Sequence, residues 1–302
     1  MPRTVAISPP GGEICPVCGG ANFCTSRFVV EQRFALYHCA TCGLGLLDIS
    51  GTDDDGFDEY WDAINQRVYA DPAVIGELSA KYERYFRLLR SAVPNKRFLD
   101  VGSGAGISIG TAARLGFEAI GVEPSANAVA LSRRQYQVPV VHGLLRADDD
   151  LPRDFGMLAL WDVIEHVADP ETLLRICHQH MADGGVLLLE TPDEGTLLRA
   201  IIRVVGAMAV LGFDPRRNIY YRAHRYYFTR QAMTRLLQRC GFGSVRFFAE
   251  RTMYEKEQLK KRMYGDLSRV KEFGLRSAFL LFKHLPFLAN KMVVAAVKTP
   301  AV

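Results

Sequence analysis

The stretch Phe98-Leu99-Asp100-Val101-Gly102-Ser103-Gly104-Ala105-Gly106 leaves this chain little choice of fold. A short apolar run ends in three glycines at alternate positions and opens into a helical pattern over 107–115. Glycine lets backbone come close to a ligand, and a helix start offers N–H groups that no helical carbonyl accepts from. The spacing is G-x-G-x-G, with Ile107 where a dinucleotide fingerprint has its third glycine. About twenty residues on, Gly121-Val122-Glu123-Pro124 closes the next apolar run with a carboxylate. An ionised Glu is acceptor-only and two-pronged, which suits a pair of ribose hydroxyls. Together the turn and Glu123 predict a nucleoside-binding α/β domain.

The rest of the chain extends that pattern. Residues 119–122, 138–141, 157–160 and 186–190 read as strands, and 126–136 and 170–181 as helices. Strands alternating with helices of about ten residues make a parallel sheet covered on both faces. Residues 243–248 and 291–297 are strand-like but far apart in sequence. The expectation is a doubly wound, Rossmann-like sheet of about seven strands, the last antiparallel.

Two C-x-x-C-G knuckles, Cys15-Pro16-Val17-Cys18-Gly19 and Cys39-Ala40-Thr41-Cys42-Gly43, precede this domain with β-prone residues between them. Their spacing suits a tetrahedral zinc ion held by Cys15, Cys18, Cys39 and Cys42 in a zinc-ribbon-like module. So short a segment cannot bury a stable core unaided, so it needs a staple. A redox pair would need no second copy. Four thiolates close the coordination sphere, so the zinc is read as structural, and Cys24 as a bystander.

Composition narrows the partners. Apolar residues make up 49% and charged residues 23% of 302, as in ordinary globular proteins. A formal net charge of +4, without a basic run, argues against a nucleic-acid partner. Pro2, Pro9 and Pro10 interrupt the region where a secretory signal would lie, and no apolar stretch reaches the length of a membrane span. A cytoplasmic location is expected. The domain reading is a disordered lead at 1–14, the zinc module at 15–50, a linker with an aromatic-rich helical cap at 51–95, and the nucleoside-binding domain at 96–302. The acidic turn 53–56 marks the linker, and helical patterning runs over 57–90. Insertions at 194–222, as a lid, and at 253–289, as helices, complete it.

Four blocks carry a resemblance: FLDVGSGAG (98–106), GVEPS (121–125), LALWDVIEHVADP (158–170) and DGGVLLLETPD (183–193). In order and spacing the chain resembles class I S-adenosylmethionine-dependent methyltransferases. It is most similar to the branch with the ubiquinone-pathway O-methyltransferases and many sugar and natural-product methyltransferases. The resemblance implies S-adenosylmethionine as cofactor. It places Asp100, Gly102, Ser103, Gly104 and Gly106 at the cofactor's amino-acid end and Glu123 at its ribose. Trp161 and Asp162 fall on the floor between cofactor and acceptor. Many relatives hold the adenine with an acidic residue just after the third strand. Val141-His142-Gly143-Leu144-Leu145-Arg146 has none, and Asp148 is the substitute.

Methyl transfer to a hydroxyl needs alignment, exclusion of water and removal of a proton, for which histidine is suited near neutral pH. His166, in the Glu165-His166 pair, is either a base or a brace for the loop after its strand. His224 matches a family histidine that faces the acceptor, and is the other candidate. A carbon acceptor, or an ionised oxygen, would need neither. Arg199 and Arg203 share a stripe on the apolar stretch 197–213, and basic and apolar residues also combine in 255–288. Each stretch reads as a packed helix or as peripheral membrane contact.

The reading is methyl transfer from S-adenosylmethionine to a small-molecule, sugar or lipid-linked acceptor, at oxygen. The alternatives are C-methylation of the sugar and natural-product type and a catalytically silent methyltransferase-like binding module. A nicotinamide-dependent oxidoreductase would share the sheet, but Ile107 and the DVIEHV and ETPD blocks argue against it.

Overall fold

Along β7 (Phe155–Trp161) every residue is buried, and alternate side chains enter different cores. Leu158 and Leu160 join one apolar cluster, Met157, Ala159 and Trp161 the other. The next strand, β8 (Met181–Pro192), does the same with Leu187 and Leu189 against Val186 and Leu188. Side chains that alternate between two apolar layers mark a sheet sandwiched by helices.

The computed structural model describes residues 14–30, 34–48, 71–207, 219–220, 223–251 and 289–300. The expected lead (bar its last residue), the 53–56 turn, the helical pattern over 57–70, the far part of the lid at 208–218 and the insertion up to 288 lie outside them.

The cysteine segment contributes β1 (Phe23–Val30), β2 (Phe34–Cys39) and β3 (Gly45–Leu47). Then follow α1 (Pro72–Leu89), β4 (Arg97–Val101), α2 (Ile107–Arg114), β5 (Glu118–Glu123), α3 (Ala126–Tyr136), β6 (Val140–His142), β7, α4 (Pro170–His180) and β8. The chain continues through α5 (Leu197–Ala207), β9 (Tyr226–Tyr227), α6 (Arg230–Arg239), β10 (Phe242–Glu250) and β11 (Lys291–Lys298). Among the described residues the main sheet has seven strands in the order β10-β11-β8-β7-β4-β5-β6. Strands β4 to β8 pair parallel, and β11 runs antiparallel to both β8 and β10. The doubly wound sheet with its reversed last strand is as expected.

Local chemistry sets the helix starts. Asp71, Ser125, Asp169 and Thr229 each accept a backbone N–H of the first turn of the helix that follows. Where the sequence read as one helical stretch over 57–90, the described part begins afresh at Pro72, capped by Asp71. Helix α1 lays Tyr82, Tyr85 and Phe86 on the sheet face formed by Phe98, Met157 and Leu188.

The cysteine module is joined to the rest by backbone as well as side chains. A second, four-stranded sheet has the order β1-β2-β3-β9, so its last strand belongs to the later part of the chain. Gly45 pairs with Tyr227 and Leu46 with Tyr226, and Leu47 N donates to Arg225 O at 2.9 Å. One residue beyond β9, Phe228 bridges in parallel to Asp193 past the end of β8. Val17, Phe23 and Leu44 join the same apolar cluster as Leu160, Leu187 and Leu236.

Candidate cofactor and acceptor site

The turn after β4 builds the first half of the site. Gly106 caps α2 at φ 86, and a Cβ there would sit 2.0 Å from Ser132 Oγ on α3. Only glycine allows both that left-handed conformation and that approach of the two helices. Glu123, at the end of β5, is buried and reaches across the turn, its two oxygens accepting from Gly104 N at 2.7 Å and Ser125 N at 2.9 Å. A pocket opens beside it, lined by Asp100, the 102–105 turn, Ser108, Trp161 and, from α1, Tyr82. Trp161 Nε1 donates to Ser108 Oγ at 2.9 Å, and the Tyr82 and Trp161 rings lie 4.6 Å apart, so α1 roofs the pocket.

Asp100 tests whether these residues fit a cationic nucleoside. Its side chain is 1% exposed, and among the described residues no regular hydrogen bond reaches either oxygen. Burial pushes its pKa up to about 8, against a smaller opposing pull from the Ser108 hydroxyl. A buried carboxylate without a partner is costly unless a ligand supplies one. An ammonium or sulfonium in the pocket would do so. The residues present therefore fit S-adenosylmethionine: Asp100 would meet its charged end, Ser103, Gly104 and Ala105 would leave room for its chain, and Glu123 would take its ribose. Gly102 lines the pocket directly, while Gly106 and Asp162 border it through their neighbours. Asp148 is exposed on the loop after β6.

Beyond Trp161 the chain turns at Asp162, a non-glycine residue at φ 54, and enters a second, buried polar cluster. Lys291 on β11 donates to Asp162 Oδ2 at 2.5 Å and lies 3.7 Å from Glu190 Oε1. Lys81 on α1 holds the other oxygen of Glu190 at 2.5 Å. Burial works against the Asp162 carboxylate, but Lys291 and Lys81 outweigh it and keep its pKa low. Glu165 is fully buried, and burial together with Asp162 raises it well above the usual carboxylate range.

His166 and His224 meet here. Their ring centroids are 4.6 Å apart, and His224 Nε2 lies 3.9 Å from Glu165 Oε1. His166 Nδ1 donates to Ala223 O at 2.5 Å; a carbonyl can only accept, so Nε2 carries the lone pair. Burial lowers His166 to about 4, and burial with the neighbouring cations lowers His224 well below its ordinary value, so both rings are neutral at pH 7. One ligand atom each from Glu165, His166 and His224 lie within 4.8 Å of one another, a geometry that could also hold a metal ion. The sequence reading named both histidines but missed Glu165 and Lys291. Glu165 stands beside His166 in the chain, whereas nothing local marks Lys291.

The four expected cysteines converge. Cys15 Sγ is 3.6 Å from Cys42 Sγ and Cys18 Sγ is 3.5 Å from Cys39 Sγ, and all four lie within 4.8 Å of one another. Four sulfurs at about 2.3 Å from one ion stand slightly under 4 Å apart, so the set fits zinc. Gly43, at φ 72, makes the turn after the second knuckle, with its N–H on Cys39 O. Cys24 is not part of the cluster.

Helix α5 lies in the stretch expected to form a lid. Arg199 and Arg203, read as sharing one stripe, both donate to Glu194, at 2.8 and 2.9 Å, Arg199 from a buried position and Arg203 from a partly exposed one. Leu197 and Ile201 face outward at 54% and 45% exposure. Among the described residues no helix is long and apolar enough to cross a membrane.

A family model described as a methyltransferase domain matches residues 74–246, more than half of the chain. The chain belongs to that family. The ubiquinone biosynthesis O-methyltransferase of Rhodopseudomonas palustris (strain HaA2) is 31% identical over 140 residues, which are 45% of this chain and 54% of that protein. The protein of the same description from Dinoroseobacter shibae is 29% identical over 168 residues, 53% of this chain and 66% of its own. The chain thus spans roughly half to two thirds of these curated relatives. A S-adenosylmethionine-dependent methyltransferase from Archaeoglobus fulgidus shares the fold, with 18% identity, a TM-score of 0.51, and coverage of 79% of this chain and all of that one. The methyltransferase-domain match spans α1 to β10 and stops short of the cysteine module.

Proposed function

We propose that the chain transfers a methyl group from S-adenosylmethionine to the hydroxyl of a small-molecule, sugar or lipid-linked acceptor. The observation that carries this reading is Asp100: a carboxylate sealed beside a glycine turn, short of a partner, with Glu123 pinned across the same turn. S-adenosylmethionine, when bound, supplies an electrophilic methyl on a cationic sulfur. The protein's share is then to bind, orient and manage one proton.

Asp100 and Glu123 fix the two ends of the nucleoside. Tyr82 and Trp161 cover the pocket and keep water from it. The acceptor side is the buried cluster beyond Asp162. There a neutral His166, oriented by the Ala223 carbonyl, presents a lone pair to a hydroxyl proton, with His224 packed on its ring. The zinc ion proposed for the four cysteines takes no part in the chemistry; Cys15, Cys18, Cys39 and Cys42 would hold it as a closed structural site.

Calorimetry with S-adenosylhomocysteine and with a nicotinamide dinucleotide tests the first half. The first should bind with saturable heat and the second should not. If the dinucleotide binds and the thioether nucleoside does not, the reading is wrong. Transfer of labelled methyl to panels of hydroxylated aromatics, sugars and polyprenyl-linked acceptors tests the second half, and the linkage in the product separates oxygen from carbon.

A further inference from the structure

Glu194 gathers more partners than any feature of the proposed chemistry requires. It sits just past β8 and is 1% exposed. Arg199 and Arg203 of α5 donate to it, as does Tyr220 OH at 2.5 Å. From the cysteine module, His38 Nε2 lies 3.3 Å from the same Oε1 that takes Arg203 and Tyr220. Its backbone N–H donates to Phe228 O at 2.9 Å. Burial raises the pKa of this carboxyl, but the His38 hydrogen bond and Arg199 outweigh that and hold it at about 2. One residue therefore joins the cysteine module and α5 through its carboxylate and the 223–229 segment through its backbone N–H.

That segment lies between the two halves of the molecule. On one side β9 pairs with β3, Thr229 Oγ1 donates to Cys42 O at 2.9 Å, and Arg239 Nη1 reaches Val17 O at 2.6 Å. On the other, Arg225 N and Tyr226 N both donate to Glu165 O, and Ala223 O orients His166. The path from the cysteine knuckle to His224 and His166 is short: the β3–β9 pairing, then Arg225 and His224, with Arg225 and Tyr226 bonded back to Glu165 O.

We infer that Glu194 and His38 are positioning residues through which the cysteine module holds the acceptor half of the site, the 223–229 segment and the lid helix, in register while leaving the cofactor half untouched. The inference rests on the proposed methyl-transfer reading and on metal in the cysteine cluster. The cofactor half has its own supports in β4, β5 and α1, none of which touches His38 or Glu194 through the bonds described above.

The experiment is amide hydrogen exchange on the full chain, paired with calorimetry of S-adenosylhomocysteine. His38→Ala, which cuts only the module's arm, should speed exchange in 223–229 and 197–207 by about tenfold or more, the scale of losing one hydrogen bond to a charged group. His38→Gln keeps an N–H donor and should restore wild-type protection. Glu194→Gln should loosen both segments further. Removing metal from the wild type with a chelator should reproduce the His38→Ala pattern in the same two segments. In every case the affinity for S-adenosylhomocysteine should stay at the wild-type value. The inference is overturned if His38→Ala and Glu194→Gln leave 197–207 and 223–229 as protected as in the wild type. It is also overturned if metal removal loosens only 15–47, or if loosening comes with loss of nucleoside affinity. Failure of the wild type itself to bind the nucleoside would instead strike the methyl-transfer reading.

Discussion

The imidazoles of His166 and His224 stand edge to face, 4.6 Å between centroids, one carried by the loop after β7 and the other by the segment before β9. Burial is the leading cause that keeps both neutral, and nearby cations, Lys291 for both and Arg199 for His224, act in the same direction.

This has a direct consequence for the pH–rate profile. A histidine whose pKa is lowered keeps its basic form as the medium turns acidic. With His166 lowered to about 4, turnover should stay level from neutral pH down to about pH 5 and fall below it, rather than declining near the ordinary histidine value of about 6.5. Replacing His166 or His224 by Ala should cut turnover by about 10²–10⁴-fold with S-adenosylhomocysteine affinity retained. An acidic limb centred near 6.5, or full activity in both variants, would remove them from the chemistry.

Asp100 should trade stability for binding. Its raised pKa means that the native protein holds a proton that the unfolded chain releases between about pH 4 and 8, so stability from this group falls as pH climbs through that window. Asp100→Asn should raise the melting temperature of the ligand-free protein at pH 8 by about 3–6 °C, with the gap closing toward pH 4. The same variant should bind S-adenosylhomocysteine poorly yet still bind adenosine. Wild-type binding at pH 7 should release a proton, read as a dependence of the calorimetric heat on buffer ionisation enthalpy.

Glu123→Gln should show the complementary pattern. Loss of a charged acceptor for the ribose should weaken S-adenosylmethionine, S-adenosylhomocysteine and adenosine alike, by about 10- to 100-fold. An effect confined to the methionine-bearing ligands would contradict the assignment of the two ends.

Metal analysis of the purified protein should find one zinc per chain. Cys18→Ser and Cys39→Ser should lose it, and Cys24→Ser should keep it. Because metal binding and folding of such a module are one equilibrium, the metal-free protein should melt at least about 5 °C lower. Equal melting curves with and without chelator would rule out a structural ion.

The features legible in the sequence were those encoded by near neighbours. The glycine turn shows itself because left-handed backbone and close helix approach admit few other residues, as Gly106 against Ser132 illustrates. The cysteine set shows itself because each knuckle brings two thiols together by its own turn. Lys291 carries no such mark: its contact with Asp162 depends on β11 returning to lie beside β8. The inward turn of Arg199 was hidden for the same reason, since its partner Glu194 lies on the adjoining segment and helical spacing says which residues share a face, not which way it looks. His166 was read as either base or brace; its bond to Ala223 is a brace that also fixes which nitrogen can accept a proton.

Strand β9 is two residues long and shared: β3 claims its backbone, and the main sheet takes up the chain one residue later at Asp193. A protein shortened at its front end to begin at α1 would therefore not be a tidy catalytic unit. It would bare Tyr226, Tyr227 and Phe228, each at most 3% exposed in the intact chain, beside an unpaired strand edge. Such an edge invites a neighbouring molecule to fill it, so trimming the front would favour self-association over a simpler enzyme.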